Sequence, residues 1–352
     1  MKIVTVVGAR PQFIKAAVLS REIRKDHTEV LVHTGQHYDQ NMSDIFFEEL
    51  GIPAPDYNLG IGSGPHGKQT GEMLAGIEEV LLQERPDWVL VYGDTNSTLA
   101  GALAAVKLHI RVAHVEAGLR SFNRRMPEET NRVLTDHASD LLLCPTQTAV
   151  DNLEKEGVTA GVHLVGDVMY EALMWAAAQH NAPSILDTLG LEPGKYLLVT
   201  VHRAENTDDP ERLGGILAAF DQVQETLVWP VHPRTRLKLQ ELNWKPTGHV
   251  KLIEPLGYLD MAQLQKHARI ILTDSGGIQK EACWLGVPCI TLRDETEWVE
   301  TVKSGWNRLA GTKTEDILKA ISTCSAEEKN ELLPQIPFDG KTVIQLLGSE
   351  NL

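Results

Sequence analysis

Short apolar runs rich in β-branched residues recur along this chain, separated by longer stretches in which apolar positions return every three or four residues. Ile3-Val4-Thr5-Val6-Val7, Trp88-Val89-Leu90-Val91-Tyr92 and Tyr196-Leu197-Leu198-Val199-Thr200-Val201 are examples. Strand-length runs alternating with helical ones are the signature of βαβ units and a parallel sheet. The pattern predicts strands over 2–7, 29–34, 88–92, 111–115, 140–144 and 162–165, then a second series over 196–201, 227–231, 249–253, 269–273 and 287–292. A polar stretch with Pro183, Gly190, Pro193 and Gly194 separates the two series. The expected fold class is therefore α/β, with two Rossmann-like doubly wound domains, residues 1–166 and 167–338, joined near 166–195. The cleft between such domains is the usual place for a ligand.

Composition narrows the function. A chain of 352 residues that is 42% hydrophobic exceeds one ordinary core, in line with two domains. Its formal charge of −15 argues against a nucleic-acid or anionic-membrane partner, because a polyphosphate is bound by a basic face. A small anion held by a few local cations remains compatible. No apolar stretch approaches the roughly 20 residues that cross a bilayer. Met1-Lys2 leads straight into the first strand, without the apolar region and cleavage site of a secretory signal. Cys144, Cys283, Cys289 and Cys324 lack zinc-type spacing, and four thiols in a chain this long suit a reduced, cytoplasmic protein. Neither a metal nor a cofactor is expected.

Three acids stand where a loop leaves a strand or starts a helix: Asp94 in Gly93-Asp94-Thr95, Glu116 in Glu116-Ala117-Gly118-Leu119-Arg120, and Glu128 after Pro127. Open parallel sheets bind ligands outside the carboxyl ends of their strands, so these carboxylates converge on one crevice suited to proton transfer. The loop Gly8-Ala9-Arg10-Pro11-Gln12-Phe13-Ile14-Lys15 enters a helix whose N-terminus, with Arg10 and Lys15, offers an anion site; the alternative is a solvated basic first turn. In the second half Thr273-Asp274-Ser275-Gly276-Gly277 lets the backbone approach a pyrophosphate, and Glu281 is placed to accept a ribose diol. A tight strand-to-helix connection would look the same. His202 and His232 each follow a second-half strand, where a structural histidine is the plain reading and two on one cleft favour a functional one. Gly62-Ser63-Gly64-Pro65-His66-Gly67 has dinucleotide-loop spacing but no buried strand before it. Gly340-Lys341-Thr342 ends like a phosphate loop, yet Gln335 stands where the first glycine belongs.

Over essentially its whole length the chain resembles the non-hydrolysing UDP-N-acetylglucosamine 2-epimerases. The resemblance rests on the Gly-x-Arg-Pro opening, Thr34-Gly35-Gln36-His37, Gly93-Asp94-Thr95, His114 to Arg120, Pro127-Glu128-Glu129, His202-Arg203 and Thr273 to Gln279. It implies the two-domain glycosyltransferase-B architecture, with the terminal helix (about 339–352) returning to the first domain, and a cytoplasmic homodimer that needs no cofactor and supplies activated sugars for surface polysaccharide. It implies elimination of UDP to a 2-acetamidoglycal and re-addition with C2 protonated from the other face. By motif match Asp94, Glu116 and Glu128 are the acid/base candidates and His202 stabilises the leaving diphosphate. Arg10, Lys15 and Arg132 position sugar and phosphates, while Ser275, Gly276, Gly277 and Glu281 hold pyrophosphate and ribose. Leu256 and Met261 match uracil-pocket positions.

Departures from the common motifs bear on the substrate. Many UDP-N-acetylglucosamine enzymes of this family read His-Arg-Arg-Glu and Thr-Glu-Arg-Pro, where this chain has His202-Arg203-Ala204-Glu205 and Thr296-Glu297-Trp298-Val299. The segments Gly8 to Lys15, His37-Tyr38-Asp39-Gln40-Asn41-Met42 and Thr296-Glu297-Trp298-Val299-Glu300 look like the branch acting on UDP-2,3-diacetamido-2,3-dideoxyglucuronate. They also put in doubt the substrate activation found in some bacterial members, whose second site borders Gln36-His37. A UDP-sugar glycosyltransferase of the same fold is the alternative, and a non-catalytic sugar-nucleotide sensor the third reading; only the epimerase needs all three acids.

Overall fold

The computed structural model describes residues 1–35, 51–179, 183–324 and 336–349. The chain divides into two compact units, Met1–Ala172 with Gln335–Leu352, and Leu173–Pro334. The first holds β1 (Lys2–Val7), α1 (Arg10–Asp26), β2 (Thr28–His33), β3 (Tyr57–Asn58), α2 (His66–Glu84), β4 (Trp88–Tyr92) and α3 (Asn96–Lys107). It continues with β5 (Arg111–Val115), α4 (Pro127–Ala138), β6 (Leu141–Cys144), α5 (Gln147–Lys155) and β7 (Val162–Leu164), and α6 (Val168–Ala178) leads out of it. Its seven strands lie in the order β3-β2-β1-β4-β5-β6-β7, every neighbouring pair parallel.

The second unit holds α7 (Ile185–Leu189), β8 (Tyr196–Thr200), α8 (Ala204–Thr207), α9 (Pro210–Gln222), β9 (Thr226–Pro230), α10 (Pro233–Glu241), β10 (Val250–Ile253) and α11 (Tyr258–His267). After these come β11 (Ile270–Thr273), α12 (Gly276–Trp284), β12 (Cys289–Thr291), α13 (Val299–Lys303), β13 (Asn307–Leu309) and α14 (Thr314–Ser322). The six-stranded order β10-β9-β8-β11-β12-β13, again all parallel, repeats the winding of the first sheet. This is the Rossmann-like α/β class read from the hydrophobic pattern.

The central strands are legible because helices cover both faces of the sheet, so β4, β6, β8 and β11 are buried at every position. Two edge strands, β3 and β13, were not expected. At two and three residues they are too short to leave a hydrophobic period, and each is held by pairing with an inner strand. Helix α15 (Gly340–Gly348) belongs to the first unit, where the carbonyl of Leu347 accepts the indole N–H of the fully buried Trp88 at 2.9 Å. Among the described residues no helix is long and apolar enough to cross a membrane.

Candidate active site

In the first unit the winding reverses between β1 and β4, the position at which open parallel sheets bind ligands. Gln12 fastens the two loops that leave these strands. Its Oε1 accepts the N–H groups of Gly8 and Ala9 at 2.8 and 3.0 Å, and its Nε2 donates to the carbonyl of Tyr92 at 2.8 Å. Asp94 follows in the short connection to α3, which Thr95 caps by accepting the N–H of Thr98. The Asp94 carboxylate pairs with Arg132 of α4, and its main-chain carbonyl accepts Asn131 Nδ2 at 2.9 Å. Burial alone would lower the Arg132 guanidinium, but Asp94 and Glu129 together raise it above its ordinary value.

Glu116 leaves β5 with φ +69, a left-handed conformation that costs a side-chain-bearing residue roughly 1–2 kcal/mol. The turn is held because the N–H groups of Glu116 and Ala117 both reach the carbonyl of Leu143, at 3.1 and 3.2 Å. It aims the Glu116 carboxylate at Lys15 of α1, with which it forms a part-buried ion pair. Burial would depress the lysine; the carboxylate of Glu116, with further contributions from Asp94 and Asp167, raises it above the usual lysine range. A Cβ on Gly93 would lie 3.3 Å from Lys15 Nζ and 3.4 Å from Glu116 Oε2. The residue preceding Asp94 thus abuts the Lys15–Glu116 pair, which brings the first two acids to one place.

Adjacent glutamates of α4 have opposite fates. Glu128 is exposed, and its side chain makes no hydrogen bond or ion pair with another described residue. Glu129 is buried and accepts Ser121 N–H at 2.9 Å, and Ser121 Oγ, Phe122 N–H and Arg132 Nη1 at 2.8 Å each. Burial opposes its charge, yet these donors hold its carboxyl below the ordinary range. Glu129 therefore closes the loop that delivers α4, and Glu128 is the acid open to solvent.

The second unit repeats the plan. Its winding reverses between β8 and β11, and the loops leaving those strands carry His202-Arg203 and Asp274-Ser275-Gly276-Gly277. Asp274 is fully buried; it accepts the backbone N–H of Arg203 at 3.0 Å and Asn206 Nδ2 at 3.2 Å, besides that of His202. The His202 ring is half-exposed, its Nδ1 3.9 Å from Asp274 Oδ1. Ser275 precedes α12, and no side chain caps that helix, so its first N–H groups and the positive end of its dipole are available to an anion. Gly276 is buried beneath Glu297, whose carboxylate a Cβ at this position would overlap. Arg293 Nη1 at 2.8 Å and Arg203 Nη2 at 3.4 Å hold that carboxylate. Glu281 is buried with one oxygen on Gln265 Nε2 at 2.8 Å. Leu256 and Met261 pack half-buried against the core around Tyr196, Leu198 and Leu264.

Arg10 opens α1 half-buried, next to the loop whose Gly8 and Ala9 N–H groups Gln12 already occupies. His232 caps α10, its Nδ1 accepting Arg234 N–H at 3.3 Å, so the plain structural reading applies to it. Gln36 and the segment His37 to Met42 lie outside the described residues. Sequence reasoning gave no role to Gln12, Glu129, Asp274 or Glu297. Asp274 carries the same signal that marked Asp94 and Glu116, an acid directly after a strand.

Known proteins fit this geometry. The family model of UDP-N-acetylglucosamine 2-epimerase matches residues 21–344. A UDP-N-acetylglucosamine 2-epimerase homolog of Methanococcus maripaludis is 59% identical over 92% of both chains. The UDP-2,3-diacetamido-2,3-dideoxy-D-glucuronate 2-epimerase of Pseudomonas aeruginosa is 53% identical over 92% of both. The crystal structure of Methanocaldococcus jannaschii UDP-GlcNAc 2-epimerase in complex with UDP-GlcNAc and UDP matches with a TM-score of 0.83 and 45% identity, covering 99% of each chain. The family model spans most of the chain and these relatives cover nine-tenths or more of it, so the chain belongs to the UDP-N-acetylglucosamine 2-epimerase family.

Proposed function

We propose that this chain is an isomerase that inverts C2 of a UDP-2-acetamido sugar. The reaction is UDP-N-acetylglucosamine to UDP-N-acetylmannosamine, or UDP-2,3-diacetamido-2,3-dideoxyglucuronate to its manno epimer. The carrying observation is the pair of cation-held carboxylates, Asp94 with Arg132 and Glu116 with Lys15, at the ends of adjacent parallel strands. The C2 hydrogen lies beside an acetal rather than a carbonyl, so direct exchange is not accessible. A base takes the C2 proton as the C1–O bond breaks, the electron pair leaves with UDP, and a 2-acetamidoglycal remains. Re-addition of UDP at C1, with a proton delivered to the opposite face of C2, gives the epimer. Asp94, Glu116 and Glu128 divide the acid and base roles. Arg10, Lys15 and Arg132 face the sugar and phosphates, and His202 meets the charge that grows on the diphosphate. Ser275, Gly276 and Gly277 seat the pyrophosphate at the start of α12, Glu281 the ribose, and Leu256 and Met261 the uracil.

The relatives named above are 2-epimerases, and a transferase has no use for three acids around C2, so the transferase reading is set aside. For the substrate we favour the diacetamido uronate. Trp298 replaces the arginine of the common motif, and its buried indole N–H has no hydrogen-bond partner among the described residues, 3.1 Å from where a Cβ on Gly276 would lie. Arg293 Nε and Gln279 Nε2 likewise have no hydrogen-bond partner among the described residues, as suits a pocket for a more substituted sugar. Four buried, unbridged cysteines suit a cytoplasmic enzyme, and we place it there as a homodimer serving surface polysaccharide synthesis. The test of the chemistry is turnover in heavy water. Product must carry deuterium at C2, with traces of free UDP and glycal; retention of the original hydrogen would overturn the mechanism.

A further inference from the structure

His114 lies fully buried in β5, two residues before Glu116, and both of its ring nitrogens are engaged. Nε2 is 2.7 Å from the carbonyl of Gly93, and Nδ1 is 2.7 Å from Asp136 Oδ1 on α4. A carbonyl only accepts, so Nε2 carries a hydrogen. Burial would push the Asp136 carboxyl up, but His114 and Arg120 hold it below the ordinary range, and its Oδ1 is the hydrogen-bond partner of Nδ1. The other oxygen, Oδ2, accepts Gly118 N–H at 3.1 Å and Arg120 Nη1 at 2.6 Å. Arg120 in turn reaches both oxygens of Glu156, at 2.7 and 2.8 Å.

The partners of this pair are the peptides that aim the acids. The Gly93 carbonyl and the Asp94 nitrogen belong to one planar peptide unit, so fixing the first sets the direction in which Asp94 departs. The Gly93 N–H is held at 3.0 Å by Val115, the residue between His114 and Glu116. On the other side Gly118, with φ +78, completes the left-handed turn begun by Glu116, and a Cβ there would overlap the carbonyl of Ala149. One imidazole and one carboxylate therefore tie together the peptide before Asp94, the turn after Glu116 and α4, whose first turn carries Glu128. We propose that His114, backed by Asp136, is a positioning residue that sets the mutual geometry of the three acids without touching substrate. Acid/base transfer is lost steeply when groups shift by about 1 Å, on the order of 10²-fold.

This inference rests on Asp94, Glu116 and Glu128 being the acid/base groups. The test uses the full chain with His114→Asn and Asp136→Asn, measuring kcat and KM for epimerisation, UDP affinity by calorimetry and cooperative thermal unfolding. Asp136→Asn keeps the volume but removes the carboxylate that meets His114, Gly118 and Arg120. The expected result is a folded protein with UDP affinity and KM within about threefold of the parent and kcat lower by roughly 30-fold or more. Unchanged kcat in the folded variants overturns the proposal, as does loss of kcat in step with affinity and folded fraction, or failure of both variants to fold. Asp94→Asn and Glu116→Gln run alongside separate the two claims. If those retain turnover, the acid/base reading falls; if they lose it while His114→Asn does not, only this inference falls.

Discussion

Both oxygens of Asp274 lie 3.1 Å from the backbone nitrogen of His202. The acid that ends β11 thus acts as a fixed acceptor for the turn that ends β8, and the His202 ring is carried on a backbone it does not itself secure. Asp274→Ala leaves the His202 and Arg203 N–H groups and one Asn206 donor unserved inside the fold. The expected loss is about 2–4 kcal/mol of stability in urea titration, with UDP affinity falling as the turn loosens. A variant as stable as the parent would show that the turn holds itself. His202→Ala, by contrast, removes a half-exposed ring and should lower kcat far more than it raises KM.

The three acids differ in their partners, and their amide variants should differ accordingly. Asp94→Asn, Glu116→Gln and Glu128→Gln are each expected to cut turnover by roughly 10²-fold or more while UDP still binds. Glu128→Gln should leave the melting temperature unchanged, since no described residue depends on that carboxylate. Glu116→Gln leaves Lys15 a part-buried cation without its charge partner and should cost about 1–3 kcal/mol. Calorimetric melting of the three variants side by side checks this ordering.

Glu129 supplies a pH signature separate from catalysis. Its carboxyl titrates below the ordinary range in the folded chain, so its contribution is fully present above that range and is lost as pH falls through the depressed folded value. Glu129→Gln should therefore be less stable than the parent at neutral pH, and the gap should close in acid. A gap independent of pH would mean that the carboxylate charge contributes nothing to closing the Ser121-Phe122 loop.

Substrate choice can be read from kcat/KM on the two candidate sugars. The chain should be more efficient on UDP-2,3-diacetamido-2,3-dideoxyglucuronate than on UDP-N-acetylglucosamine, by about 10²-fold if the extra groups pair with otherwise empty donors. Trp298→Arg, which restores the common motif, should narrow that ratio. Equal or better activity of the parent on the simpler sugar would place the chain with the ordinary 2-epimerases.

The central strands and the class of the fold were legible because burial on both sheet faces writes itself as an unbroken apolar run. The edge strands Tyr57–Asn58 and Asn307–Leu309 were not, since their existence depends on a neighbour rather than on their own pattern. At the site, the acids were visible from their place after strands. Their pairing was not: Lys15 and Glu116 lie 101 residues apart, and nothing local distinguishes a lysine waiting for an anion from one that already holds a carboxylate. Nor could a Glu-Glu pair reveal which member faces inward, because that is set by the Ser121-Phe122 loop folding over Glu129.

Helix α15 gives the order of synthesis a physical meaning. The first unit has its β-sheet laid down by residue 164, yet the acceptor for the Trp88 indole is made only at Leu347, after the whole second unit. A nascent chain therefore lacks the protein acceptor of the Trp88 indole until α15 has been made. The amino-terminal unit thus gains its last piece only after the second unit has been synthesised, so the long-range pairing of Trp88 with Leu347 forms late in domain-by-domain folding.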